Sequence, residues 1–488
     1  MRLISNLAAL GALPVLLAFA PSDVESAAPL AAALDSVSER NISADIQFIA
    51  SDELQGRDTP SPGLKIAARF IRSRLAALGI EPGAQDGYFY EYPLDFARID
   101  GEKTMAMIGE KELIEGQDYA TWFRTSESSD VSAPMTWVGL EGADAFEGLE
   151  LDGHWAVCAD DEEYRWRRTR SSAQKAGAMG VLCLVEAESD TFSMYSKAVQ
   201  RALQGSVTFP RPKKEGEEED KTPRRRSSIP VVHVTFDAFQ AATGMSVDTL
   251  EKGKALDMSF RDVRSPDENV QQVMLENVCG FWPGSDPKLS KEVIIISAHY
   301  DHVGARDGEV YNGADDNGSG TTGLLALAEA LTNYGKLRRS VMVMWVSGEE
   351  KGLYGSKAWT LNPWLPEGYV PVANINIDMI GRNAPDSLLV TPTEKHEEYN
   401  GLTRLAERLA PLEGFETLGD ADAYYERSDH YNFRKNLEIP VAFLFSDVHE
   451  DYHKPTDTPD KIDCDKIRRV ARLVMRMLDG MQEDVLQF

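Results

Sequence analysis

The chain has 488 residues, 42% of them hydrophobic and 27% charged, with 79 acidic side chains against 51 basic ones and a formal net charge of -28. That length exceeds what one core usually organises, so two or three folding units are expected. The acidity excludes a nucleic-acid binder or an anionic-membrane binder that works through a general positive field.

In chain order, Met1-Arg2 precedes an apolar run over residues 7–20. It has signal-peptide length and is too short to span a bilayer. Residues 1–28 therefore read as a signal peptide, cleaved after Ala20 or near Ser26 to Ala28. Export to the periplasm or the exterior is expected, with no membrane span left afterwards. Residues 29–114 follow as an N-terminal helical part, where Leu64, Ala68, Ile71, Leu75 and Leu78 recur at helical spacing and Gly79 supplies a stop.

Residues 115–260 change texture to short strands with turn signals, at 135–140, 154–158, 180–184 and 229–235. Within them, residues 211–226 carry both signs of charge, two prolines and no apolar side chain, and read as a mobile surface loop. The cysteines Cys158, Cys183, Cys279 and Cys464 show no CxxC spacing, so a cysteine zinc site is not indicated. Cys158 and Cys183 either pair or remain buried thiols.

Over residues 261–488 apolar strands alternate with amphipathic helices, the pattern of an α/β fold with a mostly parallel (mixed) central sheet flanked by helices. Strands are expected at 293–297, 341–347, 373–377 and 441–445, and a helix over 319–334. Metal-capable groups follow each strand. His299 and Asp301 come after the first, and Asp315-Asp316 open the helix. Glu349-Glu350 follow the next strand, Asp378 the next, and Tyr452-His453 lie beyond the last. In open α/β sheets ligands bind at the carboxyl ends of strands, so groups far apart in sequence can converge there.

The donors are nitrogen and oxygen without thiolate, which suits zinc, cobalt or manganese. Five ligands serve two metals if one bridges. With Asp316 shared, His299 and Asp378 complete one site and Glu350 and His453 the other, each keeping an open position. Glu349 is then free to act as general base. Asp301 can accept the second imidazole N–H of His299 and fix its tautomer.

The motifs VCGFWPGSD (278–286), IIISAHYDHVG (294–304), NGADDNGSG (312–320), WVSGEEKGLYGS (345–356), NIDMIG (376–381), SDHYNF (428–433) and YHKPTDT (452–458) resemble those of the co-catalytic zinc aminopeptidases. That family also holds glutamate carboxypeptidase II, glutaminyl cyclase and the transferrin receptor. SDELQGR (51–57) resembles its N-terminal helical segment. The resemblance implies two zinc ions per chain, peptide substrates with a free N-terminus, and the ligand set above, with Asp316 rather than Asp315 as the bridge. It further implies a cis peptide at Asp316-Asn317 and a role for Tyr452 in binding the tetrahedral intermediate. The β-rich insertion at 115–260 resembles a protease-associated domain through GHWAVC (153–158), KAGAMGVLCL (175–184) and IPVVHVT (229–235). Alternative readings are a one-zinc glutaminyl cyclase, a dizinc carboxypeptidase or dipeptidase, and a metal-free receptor.

Overall fold

Residues 21–121, 129–140, 142–159, 166–210, 229–265, 271–306 and 308–483 are described by a computed structural model. The chain divides into two compact units, one from the N-terminus to Tyr92 together with Leu275–Phe488, the other Pro93–Met274. The apolar run at 7–20 and the charged segment at 211–226 lie outside the described residues, while Ser26 to Ala28 fall within helix α1 (Pro21–Ser36). No helix among the described residues is long and apolar enough to cross a membrane.

The first unit is built on strands β1 (Gln271–Trp282), β2 (Glu292–His299), β3 (Ser340–Val346), β4 (Val370–Asp378), β5 (Leu389–Thr391), β6 (Gly419–Asp420) and β7 (Val441–Phe445). Their order across the sheet is β6-β5-β7-β4-β2-β3-β1. The central strands β3, β2, β4 and β7 run parallel, β1 pairs antiparallel to β3, and β5 pairs antiparallel to β7 and parallel to β6. The parallel strands are unbroken apolar runs because both faces are covered. On one face Val293, Ile295, Met342 and Met344 pack with Trp359 of α5 (Tyr354–Leu361) and Phe433 of α7 (His430–Leu437).

The opposite face carries α4 (Gly320–Tyr334), which packs on β2 and β4 and against α2 (Glu39–Ile49) and α8 (Cys464–Gly480). Gly320 starts α4 because a Cβ there would stand 2.6 Å from the Ile377 carbonyl oxygen. Helix α3 (Pro62–Ala77) buries Leu64, Ala68, Ile71 and Leu75 as its spacing predicts, and Gly79 follows its end at φ 72°.

The inserted unit has its own eight-stranded sheet. Strands 129–139, 155–159, 180–185 and 231–235 form where short strands were expected, and they run parallel. Its edges are wider than 115–260 because Met105–Ile108 pairs with Ala255–Arg264 and Lys111–Leu113 pairs with Met105–Ile108. Cys158 and Cys183 face each other on adjacent strands as buried free thiols.

Candidate metal centre

Every strand of the central parallel set ends at the same rim, and the loops beyond them carry the donors. His299 closes β2 and Asp378 closes β4. Glu349 and Glu350 follow β3, and His453 lies on the loop after β7. Asp316 sits in the turn before α4, held by the Asp457 carboxylate, which accepts the main-chain N–H groups of Asp315 and Asp316 at 3.0–3.2 Å. The Asp316-Asn317 peptide is cis, as the resemblance implies. Asp315 turns away from the cluster, accepting the Gly381 N–H at 2.7 Å.

Two donor groups result. His299, Glu349 and Asp378 form one, and His302, Asp316, Glu350 and His453 form the other. Asp316 spans both, with Oδ1 3.5 Å from His299 Nε2 and Oδ2 3.0 Å from His453 Nε2. His299 Nε2 lies 3.2 Å from Asp378 Oδ1, and His453 Nε2 lies 3.2 Å from Glu350 Oε1. All five expected ligands are therefore gathered at one place.

Hydrogen bonds fix the orientation of several of these donors. Ser297 Oγ donates to Asn376 Oδ1, Asn376 Nδ2 donates to Ser428 Oγ, and Ser428 Oγ donates to Asp378 Oδ2 at 2.7 Å. Oδ1 of Asp378 is the oxygen nearer His299 Nε2. His299 Nδ1 faces the Asp301 main-chain carbonyl at 3.2 Å and the Asp301 carboxylate at 3.7 Å. The carboxylate also accepts from Thr59 Oγ1 at 3.0 Å and from the Glu349 N–H at 3.2 Å. Asp301 thus faces His299 Nδ1 with its carbonyl and its carboxylate, and the carboxylate positions Glu349 as well.

The electrostatics are those of crowded buried acids. Burial pushes the Glu349 carboxyl well above its ordinary range, with Glu350 adding to the rise and His299 opposing it. Burial also raises Asp316, and it pushes Asp429, another neighbour of His299, up to about 7. For Glu350 burial works upward too, but the His302 and His453 rings hold it well below the carboxylate range. His453, despite burial, is pushed up to about 10 by Asp316 and Glu350.

Glu350 Oε1, His453 Nε2 and both ring nitrogens of His302 are buried without a hydrogen-bond partner. Buried polar atoms are nearly always paired, so this cluster of orphaned donors with a surplus of carboxyls fits divalent cations. Tyr452 stacks on His453 with ring centroids 3.9 Å apart, and burial with the nearby acids keeps its hydroxyl protonated.

Two contributors were not evident from sequence. His302 stands in the donor cluster, and its only signal was its place in the HYDH run. Arg57 is fully buried and donates to the carbonyls of Tyr300, Asn312 and Gly313, which carry the loops of His299 and Asp316.

Residues 277–478 match the model of Peptidase family M28. Every metal-donor residue named above lies in that segment, and the matching family is of the kind the motifs resemble. A probable leucine aminopeptidase of Arthroderma otae is 28% identical over 199 residues, covering 39% of this chain and 54% of that protein. The chain thus spans about half the length of this curated relative. The aminopeptidase from Aneurinibacillus sp. strain AM-1 superimposes with a TM-score of 0.57 at 22% identity, covering 92% of this chain and 95% of that one. BSAP, a zinc aminopeptidase from Bacillus subtilis, does so at 0.56 and 18%, covering 92% and 97%. The two solved structures, each under 25% identical, show the fold alone, and the family match is confined to residues 277–478.

Proposed function

We propose that the protein is a two-zinc aminopeptidase that hydrolyses the first peptide bond of substrates with a free N-terminus. One observation carries the reading: the two carboxylate oxygens of Asp316 face two separate donor groups, His299 with Asp378 and Glu350 with His453. Zinc bound there supplies a Lewis acid for the scissile carbonyl and lowers the pKa of water. The substrate class comes from the relatives named leucine aminopeptidase, and the apolar run at 7–20 supports export. The inserted unit is proposed to be a protease-associated domain on the strength of its sequence cues.

The chain's own residues then have defined tasks. Glu349 takes the proton from the attacking water and passes it to the leaving nitrogen as the peptide C–N bond breaks. Asp301 holds the Glu349 backbone, which aims that carboxyl at the centre. Tyr452, kept protonated, donates to the oxygen on which charge develops.

The test is a panel of aminoacyl amides and short peptides with free and acetylated amino ends, assayed before and after chelation and zinc return. Cleavage should require the free amine, stop on chelation and recover with zinc. Faster turnover of the blocked series, or full activity with no metal remaining, overturns the reading.

A further inference from the structure

His302 has no part in the scheme above, yet its surroundings are those of a ligand. The side chain is fully buried, and neither ring nitrogen has a hydrogen-bond partner. Its Nδ1 lies 3.0 Å from Glu350 Oε1 and 3.7 Å from Asp316 Oδ2. His453 Nε2 lies 3.2 Å and 3.0 Å from the same two oxygens. Tetrahedral zinc with bonds of about 2.0–2.2 Å sets neighbouring donor atoms roughly 3.3–3.6 Å apart. The observed separations scatter about that spacing, and all four donor atoms lie within 4.8 Å of one another.

The backbone prepares this placement. The His302 N–H donates to the Arg57 carbonyl at 3.2 Å. The ring lies against Gly313, where a Cβ would stand 2.4 Å from the imidazole Cγ and where φ is 57°. Only glycine admits both the close ring and that backbone conformation. A histidine kept merely to fill a core would not be brought beside two acids with both nitrogens unpaired, at the cost that unpaired buried polar groups carry.

We propose that His302 is a fourth protein ligand at the position formed by Asp316, Glu350 and His453. The inference rests on the two-metal reading and deepens it, because the two positions become unequal. One has four protein donors: His302, Asp316, Glu350 and His453. The other has three: His299, Asp316 and Asp378. The four-donor position fills first and empties last. The three-donor position keeps the coordination places that water and the substrate carbonyl need.

The experiment uses the full chain, stripped of metal and titrated with cobalt(II). Stoichiometry, absorption spectra and the strongly shifted, exchangeable imidazole N–H resonances of the loaded protein are recorded. Wild type should bind in two resolved steps and show a shifted resonance for each of His299, His302 and His453. His302→Gln should weaken the first step by about 100-fold or more, beyond the roughly 10–100-fold that loss of a mere orienting partner costs. It should also remove one shifted resonance. His299→Gln should weaken the second step instead.

If wild type shows shifted resonances only for His299 and His453, His302 is not a ligand. That measurement does not depend on a variant folding. An unchanged first step in a folded His302→Gln protein overturns the proposal equally. A wild-type stoichiometry of one metal or none would instead defeat the two-metal reading itself.

Discussion

Arg57 Nη2 donates to the Gly313 carbonyl at 2.9 Å, joining the end of an N-terminal turn to the loop that presents Asp316. The same guanidinium also donates to the carbonyls of Tyr300, Asn312 and Ile49, and burial lowers its pKa to about 10 while Asp301 and Asp316 oppose that fall. Removing it leaves several buried carbonyls unpaired, each costing about 1–3 kcal/mol. Arg57→Met should therefore destabilise the first unit by roughly 3–5 kcal/mol, and Arg57→Lys by less. Denaturant unfolding of the metal-free proteins checks this; equal stability of Arg57→Met and wild type would deny the guanidinium its clamping role.

Glu349→Gln should keep its metal content and melting temperature and lose about 10²–10⁴-fold in kcat, because a neutral amide cannot take the proton from water. Metal analysis beside steady-state kinetics makes the comparison. Near-normal kcat with metals present would remove Glu349 as the base.

Ser428→Ala should release Asp378 Oδ2, which now accepts from the Ser428 hydroxyl at 2.7 Å. Weakening of roughly 10–100-fold is expected for the metal beside His299, the usual effect of deleting a partner that orients a ligand. Chelator competition measures it, and the metal beside His453 should hold as before.

His233 is buried in the inserted unit, stacked on Tyr195 with centroids 4.1 Å apart, and burial pushes its pKa down to about 3. Its folded pKa is thus below the unfolded value of about 6.5, so the unfolded chain binds the proton first. The contribution is complete above about pH 6.5 and falls as pH drops towards 3, by up to about 1.4 kcal/mol per pH unit. Unfolding of this unit followed across that range should lose part of its pH slope in His233→Phe. An unchanged slope would mean the ring is reached by water.

Much of the centre was legible because it sits at strand ends. The apolar runs of β2, β3, β4 and β7 mark themselves, and the polar residues straight after them must lie at the rim. What was not legible depends on which atom faces where. Asp301 reads as a carboxylate behind His299, and nothing local says that its carbonyl comes nearer the imidazole or that the carboxylate also takes the Glu349 N–H. His302 follows Asp301 directly and looks like part of the loop, since nothing local says that its ring reaches Glu350. Arg57 bonds to carbonyls of residues numbered 300–313, a contact no local periodicity records. The edges of the insertion were missed because residues 105–108 and 111–113 make strands too short to stand out until their partners are seen.

Arg57 and Thr59 precede the inserted unit, while every metal donor follows it. A single cut within the insertion therefore yields two pieces, one holding the clamp and the other all the donors. Joined by an intact chain, the two parts find each other in a first-order step. Once cut and unfolded, they must meet by diffusion, so recovery of the centre becomes second-order and slows on dilution. An intact insertion is in this sense a tether, and it makes assembly of the centre independent of protein concentration.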